Sequence, residues 1–483
     1  MSETSVQSVQ ALMDHSGVRF GTSGARGLVV HMTPPVCFAY TAGFLGVVGA
    51  PAGGRVALGM DLRPSSPEIA AACGAAIRHA GLEVDFCGVL PTPALAHYAG
   101  QSGIPAIMVT GSHIPYDRNG IKFYRPEGEI TKADEAGIAG AQVRMPAEVG
   151  LLPLPPANAT AGAAYLARYL DFFPTGVLKG LRLGFYEHSS VARDLLGQLL
   201  AALGAEVVSL GRTDQFVPID TEAVGAEDVA RGQRWATEHA FDALLSTDGD
   251  ADRPLIGDEH GGWLRGDVVG ILCARYLGAE GVATPVSSNT ALEKCGAFRH
   301  VVRTRIGSPY VIAGMEALAR LGVGKVVGFE ANGGFLVGSR LERHGRTLAP
   351  LPTRDAVLPI LALLAMAQEQ GIPVSALAGS LPARFTASDR LQNYSTESSR
   401  RLLDELAASS SARTAFLAPL GAEAIHLDLT DGLRMTLAGG DIVHLRPSGN
   451  APELRCYAEA TTPERTQRLA HACLARVLGF NVA

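Results

Sequence analysis

The chain has 483 residues, 47% hydrophobic and 18% charged, with a formal net charge of −6. That length exceeds one ordinary core, so several packed domains are expected, and the composition excludes a disordered chain. The acidic balance and the lack of any basic run argue against a nucleic-acid or membrane-surface partner. Strand and helix signals then alternate along the chain. Residues 55–61 read as a strand, Pro67 opens a helix that stops at Gly81, and 82–86 and 106–109 are further strands. After the seam at 153–156 the rhythm restarts, with strands at 181–185, 206–210 and 243–246 and a leucine-rich helix over 191–203. A third block has strands at 282–286, 301–305 and 325–329, with helices beginning near Asp267, Pro309 and Thr353. This spacing predicts parallel α/β units. Residues 425–445 alternate in hairpin fashion around Asp431-Gly432 and Gly439-Gly440, and Pro463 opens the last helix. The expectation is three α/β domains and a C-terminal α+β domain: 1–155, 156–266, 267–375 and 376–483.

The seven cysteines are dispersed with no CxxC spacing, which fits buried thiols in a reducing cytosol. The polar opening MSETSVQSVQ lacks the basic flank and apolar core of a signal peptide, and no apolar run reaches bilayer length. A cytoplasmic protein acting on small molecules is therefore expected.

Four loops carry chemistry. The first, TGSHIPYD followed by RNGIKFY, comes directly after the apolar strand signal 106–109. It sets the hydroxyl of Ser112 beside the imidazole of His113, with Gly111 allowing close approach of a ligand and Lys122 returning a cation. A serine at a strand tip is placed to be an exposed nucleophile, although the same residues also make an ordinary polar turn. The second loop is DGDADR. Asp248, Asp250 and Asp252 alternate after a strand, and neighbouring unit charges about 4 Å apart repel by roughly 4 kcal/mol at an effective dielectric near 20. A hard divalent cation cancels this repulsion, and an all-oxygen donor set suits Mg²⁺ or Ca²⁺. An EF-hand would place Glu259 at its twelfth position. However, Arg253 stands where that loop needs glycine and a strand precedes it, so Mg²⁺ is the better fit. Arg253 offers a further contact to an anionic oxygen. In the third loop, GFEANGG, Glu330 and Asn332 suit sugar hydroxyls. In the fourth, RPSGNAP, Arg446, Ser448, Gly449 and Asn450, with Arg455 beyond, form a compact anion pocket.

Together with FGTSGARG near the N-terminus, these loops in this order resemble the α-D-phosphohexomutase superfamily of phosphomannomutases, phosphoglucomutases and phosphoglucosamine or acetylglucosamine-phosphate mutases. The likeness runs from Phe20 to Ala460. It implies four domains around a central cleft and a reversible exchange of sugar 6-phosphate and 1-phosphate. A phosphoserine at Ser112 would be the phosphoryl carrier and a bound hexose 1,6-bisphosphate the intermediate and activator. It further implies Mg²⁺ on Asp248, Asp250, Asp252 and the Ser112 phosphate. Arg26, Lys122 and Arg253 would neutralise the phosphoryl oxygens. Glu330, Asn332 and Gly333 would hold the sugar, and Arg305, Gly307 and Ser308 would give a secondary substrate contact. The fourth loop would anchor the distal phosphate. Lys122 and His113 are the candidates for proton transfer, His113 alternatively only orienting Ser112.

Three departures from the family pattern stand out. Gly111 and Ile114 replace an alanine and an asparagine of the serine loop. Asn332 and Gly334 stand where the sugar loop usually carries serine and histidine, so a general acid/base or phosphate contact is lost there, for which another cation can substitute. Asn450 replaces a threonine and keeps its hydrogen-bonding capacity. The expected activity is phosphomannomutase, a monomer or homodimer acting on hexose phosphates. The alternatives are phosphoglucomutase, an amino-sugar phosphate mutase, or a non-catalytic sugar-phosphate sensor.

Overall fold

The structure is a computed structural model that describes residues 4–21, 24–50, 53–448 and 452–480. Its first three sheets share one arrangement. In the first, Arg55–Met60 lies between Glu83–Val89 and Ala106–Val109, parallel to both, and Arg118–Arg125 returns antiparallel to Ala106–Val109. In the second, Arg182–Tyr186 lies parallel between Glu206–Leu210 and Ala243–Thr247, and Pro254–Gly257 returns antiparallel. In the third, Gly281–Pro285 lies parallel between His300–Thr304 and Val326–Phe329, and Phe335–Val337 returns antiparallel. The parallel α/β units read from the spacing thus form mixed sheets, as expected for mixed α/β domains. Each adds a return strand too close in sequence to allow a helical crossover.

That shared topology positions the chemistry. The serine, metal and sugar loops each connect the third strand of a sheet to its antiparallel return strand. All three parent strands are buried on both faces, which explains their mostly apolar character. The fourth sheet is wholly antiparallel, in the order Phe385–Gln392, Glu453–Ala460, Ile442–Pro447, Leu433–Leu437, Ala424–Asp428. The helix Pro463–Gly479 packs on it. The largest core is shared by the first three sheets and is crossed by the helices Thr160–Phe172, Gly266–Tyr276 and Val357–Gln370.

One helix start differs from expectation. Thr353 lies within the strand Leu351–Asp355, and the helix begins at Val357. Asp355 Oδ1 accepts the Val357 N–H at 2.8 Å, so the carboxylate two residues further on is the group that opens the helix. All seven cysteines are free thiols and six are buried. No helix among the described residues is long and apolar enough to cross a membrane.

Candidate active site

Ser112 stands at the tip of Ala106–Val109 with φ 53°, a left-handed conformation that a side chain seldom adopts. The loop is held there by Arg63, which is 1% exposed. Its guanidinium donates to the carbonyls of Ser112 (3.0 Å), Ile114 (2.5 Å), Pro115 (2.7 Å) and Arg118 (2.9 Å). A Cβ at Gly111 would sit 2.5 Å from Arg63 Cζ, so this glycine makes room for the clamp and not for a ligand. Ser112 Oγ donates to Asp248 Oδ2 at 2.5 Å and lies 3.3 Å from His113 Nδ1. Burial first, then Arg253 and Arg26, hold the His113 pKa well below its ordinary value, so the imidazole is neutral at pH 7.

The three aspartates converge beside Ser112, with one oxygen of each within 4.8 Å of the others. Burial, with Asp250 and Asp252, raises the Asp248 pKa well above the usual carboxylate range. Asp252 is lowered: against the opposing effect of burial, Arg354, then Lys122 and Arg253, pull it down. Lys122 Nζ donates to Asp250 Oδ2 at 2.6 Å and Asp252 Oδ2 at 2.7 Å, and Thr92 Oγ1 donates to Asp250 Oδ2 at 2.6 Å. Asp250 Oδ1 and Asp252 Oδ1 are buried without a hydrogen-bond partner. Two buried, unsatisfied carboxylate oxygens beside a third carboxylate fit a hard divalent cation. Glu259 instead accepts the Ser375 hydroxyl and N–H, away from this cluster, which disposes of the EF-hand alternative.

Cations surround the cluster. Arg253 Nε is 3.5 Å from Asp252 Oδ1 and 4.0 Å from Asp248 Oδ2. Burial, then the neighbouring Arg253 and Arg354, lower the Arg26 pKa to about 10, which leaves it charged at pH 7. Thr22 and Ser23 of the same N-terminal motif lie outside the described residues. The sugar loop is a tight hairpin in which Glu330 N–H donates to Gly334 O at 3.1 Å. Glu330 is buried and accepts from Arg354 Nη1 at 3.0 Å, while Asn332 Oδ1 accepts the Gly334 N–H. Gly333, at φ 88°, makes the turn.

The fourth loop follows the strand Ile442–Pro447 of the fourth sheet. Ser448 is buried and its N–H donates to Glu453 O at 2.8 Å, whereas Gly449 and Asn450 lie outside the described residues. Arg455 pairs in register with Arg446 on one side and Arg390 on the other, so three arginines stand abreast across three strands. Arg390 and Arg455 line a cavity of about 380 Å³ with Ser388 and Tyr457, and Asp220 and Glu222 line it as well. Glu222 lies within electrostatic reach of both Arg253 and Arg455, which ties this cavity to the serine and metal loops. Arg446 pairs with Asp431 at 2.9 Å, and Asp431 accepts the Ile306 N–H at 2.9 Å. The turn with Arg305, Gly307 and Ser308 is thereby tied to the hairpin loop that carries Asp431. Arg305 Nε donates to Thr430 O, and Ser308 Oγ donates to Glu129 Oε2 at 2.6 Å.

Sequence profiles described as phosphoglucomutase/phosphomannomutase α/β/α domain I, α/β/α domain III and C-terminal domain match residues 17–143, 265–385 and 396–476. The chain is 48% identical to a phosphomannomutase of Salmonella muenchen over 96% of this chain and 97% of that one. It is 47% identical to a phosphomannomutase of Sinorhizobium fredii over 94% and 97%. The chain belongs to the phosphoglucomutase/phosphomannomutase family. A crystal structure of a phosphoglucomutase/phosphomannomutase family protein from Burkholderia thailandensis shares the fold, with a TM-score of 0.72 and 22% identity over 95% of this chain and 98% of that one. Membership makes this mutase an enzyme of the intramolecular phosphotransferase type.

Reading the mutase sequence alone missed Arg63, Thr92, Arg354 and Arg390. The first three act through partners 24 to 158 residues away, which no local pattern reports. Arg390 is placed by its pairing with Arg455 across 65 residues of sequence, which no local pattern reports either.

Proposed function

We propose that the protein is a phosphomannomutase that interconverts mannose 6-phosphate and mannose 1-phosphate through a phosphoserine at Ser112 and a bound 1,6-bisphosphate. The observation that carries this reading is the Ser112 hydroxyl, strained at a strand tip and 2.5 Å from Asp248 of the triad. The two relatives of 47–48% identity are named phosphomannomutases, which favours mannose over glucose or amino sugars. We read the chain as four domains, 1–155, 156–266, 267–375 and 376–483. One principal sheet falls in each range and each contributes one loop.

Mg²⁺ would be held by Asp248, Asp250, Asp252 and an oxygen on Ser112, and it would supply positive charge to the phosphoryl oxygens. The rest falls to side chains. The P–O bond at Ser112 Oγ breaks as the free hydroxyl of a hexose monophosphate bonds to phosphorus. The hydroxyl proton passes to the neutral His113, which gives a proton from Nδ1, 3.3 Å away, to the departing Ser112 Oγ, so that the serine leaves as its hydroxyl. Lys122, already tied to two carboxylates, is suited to hold charge at the reacting centre. The bisphosphate then turns over in the cleft and returns its other phosphate to Ser112. Arg446, Ser448, Asn450 and Arg455 anchor whichever phosphate is distal, and Glu330 and Asn332 hold the hydroxyls common to both poses. Arg305, Gly307 and Ser308 carry a secondary contact.

A coupled assay with Mg²⁺ on mannose 1-phosphate, glucose 1-phosphate and glucosamine 1-phosphate tests the assignment. The highest kcat/KM is expected on mannose 1-phosphate, and a preference for either other sugar overturns the substrate.

A further inference from the structure

Arg354 belongs to none of the motif loops, yet it bridges two of them. Its Nη2 donates to Asp252 Oδ2 of the metal loop at 2.8 Å, and its Nη1 to Glu330 Oε2 of the sugar loop at 3.0 Å. The strand that carries it is pinned on both sides from outside its own sheet. Thr353 Oγ1 donates to Glu129 Oε1 at 2.9 Å, and Asp355 accepts the hydroxyls of Tyr165 and Tyr169. Such pinning fixes one residue against the first sheet and the helix Thr160–Phe172. Gly334 completes the seat. A Cβ there would lie 2.8 Å from Arg354 Cδ and 2.9 Å from its Cγ, so any side chain at 334 would push the guanidinium off its carboxylates.

We propose that Arg354 is a positioning residue for the phosphoryl transfer, seated by Gly334. It locks Glu330 in register with Asp252, and so holds the hexose hydroxyl in line with the phosphoryl group on Ser112. The inference rests on the mutase reading. A lysine is a point charge and cannot fork to both carboxylates. Once the fork is lost the two loops part, and a misplacement of about 1 Å costs on the order of 10²-fold in rate.

The test measures steady-state kinetics with Mg²⁺ and hexose 1-phosphate for the parent, Arg354→Lys, Arg354→Ala, Gly334→Ala and the double variant Gly334→Ala/Arg354→Ala. Ser112 phosphorylation is followed by mass spectrometry. Each single variant should lose about 10²-fold in kcat with KM changed by only about threefold and Ser112 still phosphorylated. The double variant should be no slower than Arg354→Ala, because Gly334→Ala acts only by displacing Arg354. Free guanidinium should restore part of the Arg354→Ala rate. Should Arg354→Ala fail to fold, Gly334→Ala, which removes no charge, carries the test. A Gly334→Ala kcat within about threefold of the parent, or losses that multiply in the double variant, overturns the inference while leaving the mutase reading intact. A parent that turns over no hexose phosphate removes both.

Discussion

The Lys122 ammonium gives the most direct handle on the metal site. It is 3% exposed, and it lies 2.6 Å from Asp250 and 2.7 Å from Asp252. Replacing it by methionine leaves three convergent carboxylates short of one cation. Breaking a buried pair in this way costs about 3–5 kcal/mol. The same charge also opposes a second cation at the triad. A unit charge about 4 Å from the ion contributes roughly 4 kcal/mol at an effective dielectric near 20. If only a third of that survives relaxation, its removal tightens Mg²⁺ binding about tenfold. Turnover should fall by about 10²-fold or more, because a preorganised charge at the phosphoryl group is gone. The expected signature of Lys122→Met is therefore a less stable metal-free protein, tighter Mg²⁺ in titration calorimetry, and slower catalysis. Unchanged or weaker Mg²⁺ binding would refute the reasoning.

Three further predictions follow from the same structure. The His113 imidazole stays neutral to well below its ordinary value, so kcat should show no inflection from it above about pH 6, and His113→Gln should lower kcat without adding one. An inflection near pH 6.5 in the parent that vanishes in His113→Gln would contradict this. Asp134 caps the helix Lys132–Ala139 through Thr131 and pairs with Arg125, and the Arg125 hydrogen bond, against burial, lowers its pKa to about 2. Its stabilising effect is present above the unfolded pKa and is lost as pH falls toward 2. Asp134→Asn should cost about 1–2 kcal/mol at pH 7, discounted for the part-exposed arginine, and little at pH 2. Equal losses at both pH values in denaturant titrations would rule this out. Arg446→Ala should raise KM about tenfold or more with kcat nearly kept, as expected for a phosphate anchor; a fall in kcat at constant KM would argue for a role in the transfer itself.

The chemistry of this protein was legible because its key groups are local in sequence. Ser112 and His113 are adjacent, the aspartates alternate within five residues, and the serine, metal and sugar loops each follow a mostly apolar strand. The topology shared by the first three sheets left no readable repeat, because a common strand order needs only a pattern of burial and not common residues. The supporting cations were invisible for a related reason. Arg63 grips carbonyls 49 to 55 residues downstream, and Arg354 joins carboxylates 24 and 102 residues away. A lone arginine on a strand carries no mark of such partners. The false helix start at Thr353 arose because Pro352-Thr353 imitates a cap, whereas strand pairing with Phe335–Val337 claims those residues and the helix begins after Asp355.

The central claim is that Ser112 carries the phosphoryl group in transit. Phosphopeptide mass spectrometry of the purified enzyme, before and after incubation with hexose 1,6-bisphosphate and then with excess hexose monophosphate, tests it directly. The account predicts phosphate on Ser112 that is gained from the bisphosphate and discharged to the monophosphate, with Ser112→Ala inert in both directions. Turnover of a hexose phosphate with Ser112 never phosphorylated, or by Ser112→Ala at a comparable rate, would contradict it.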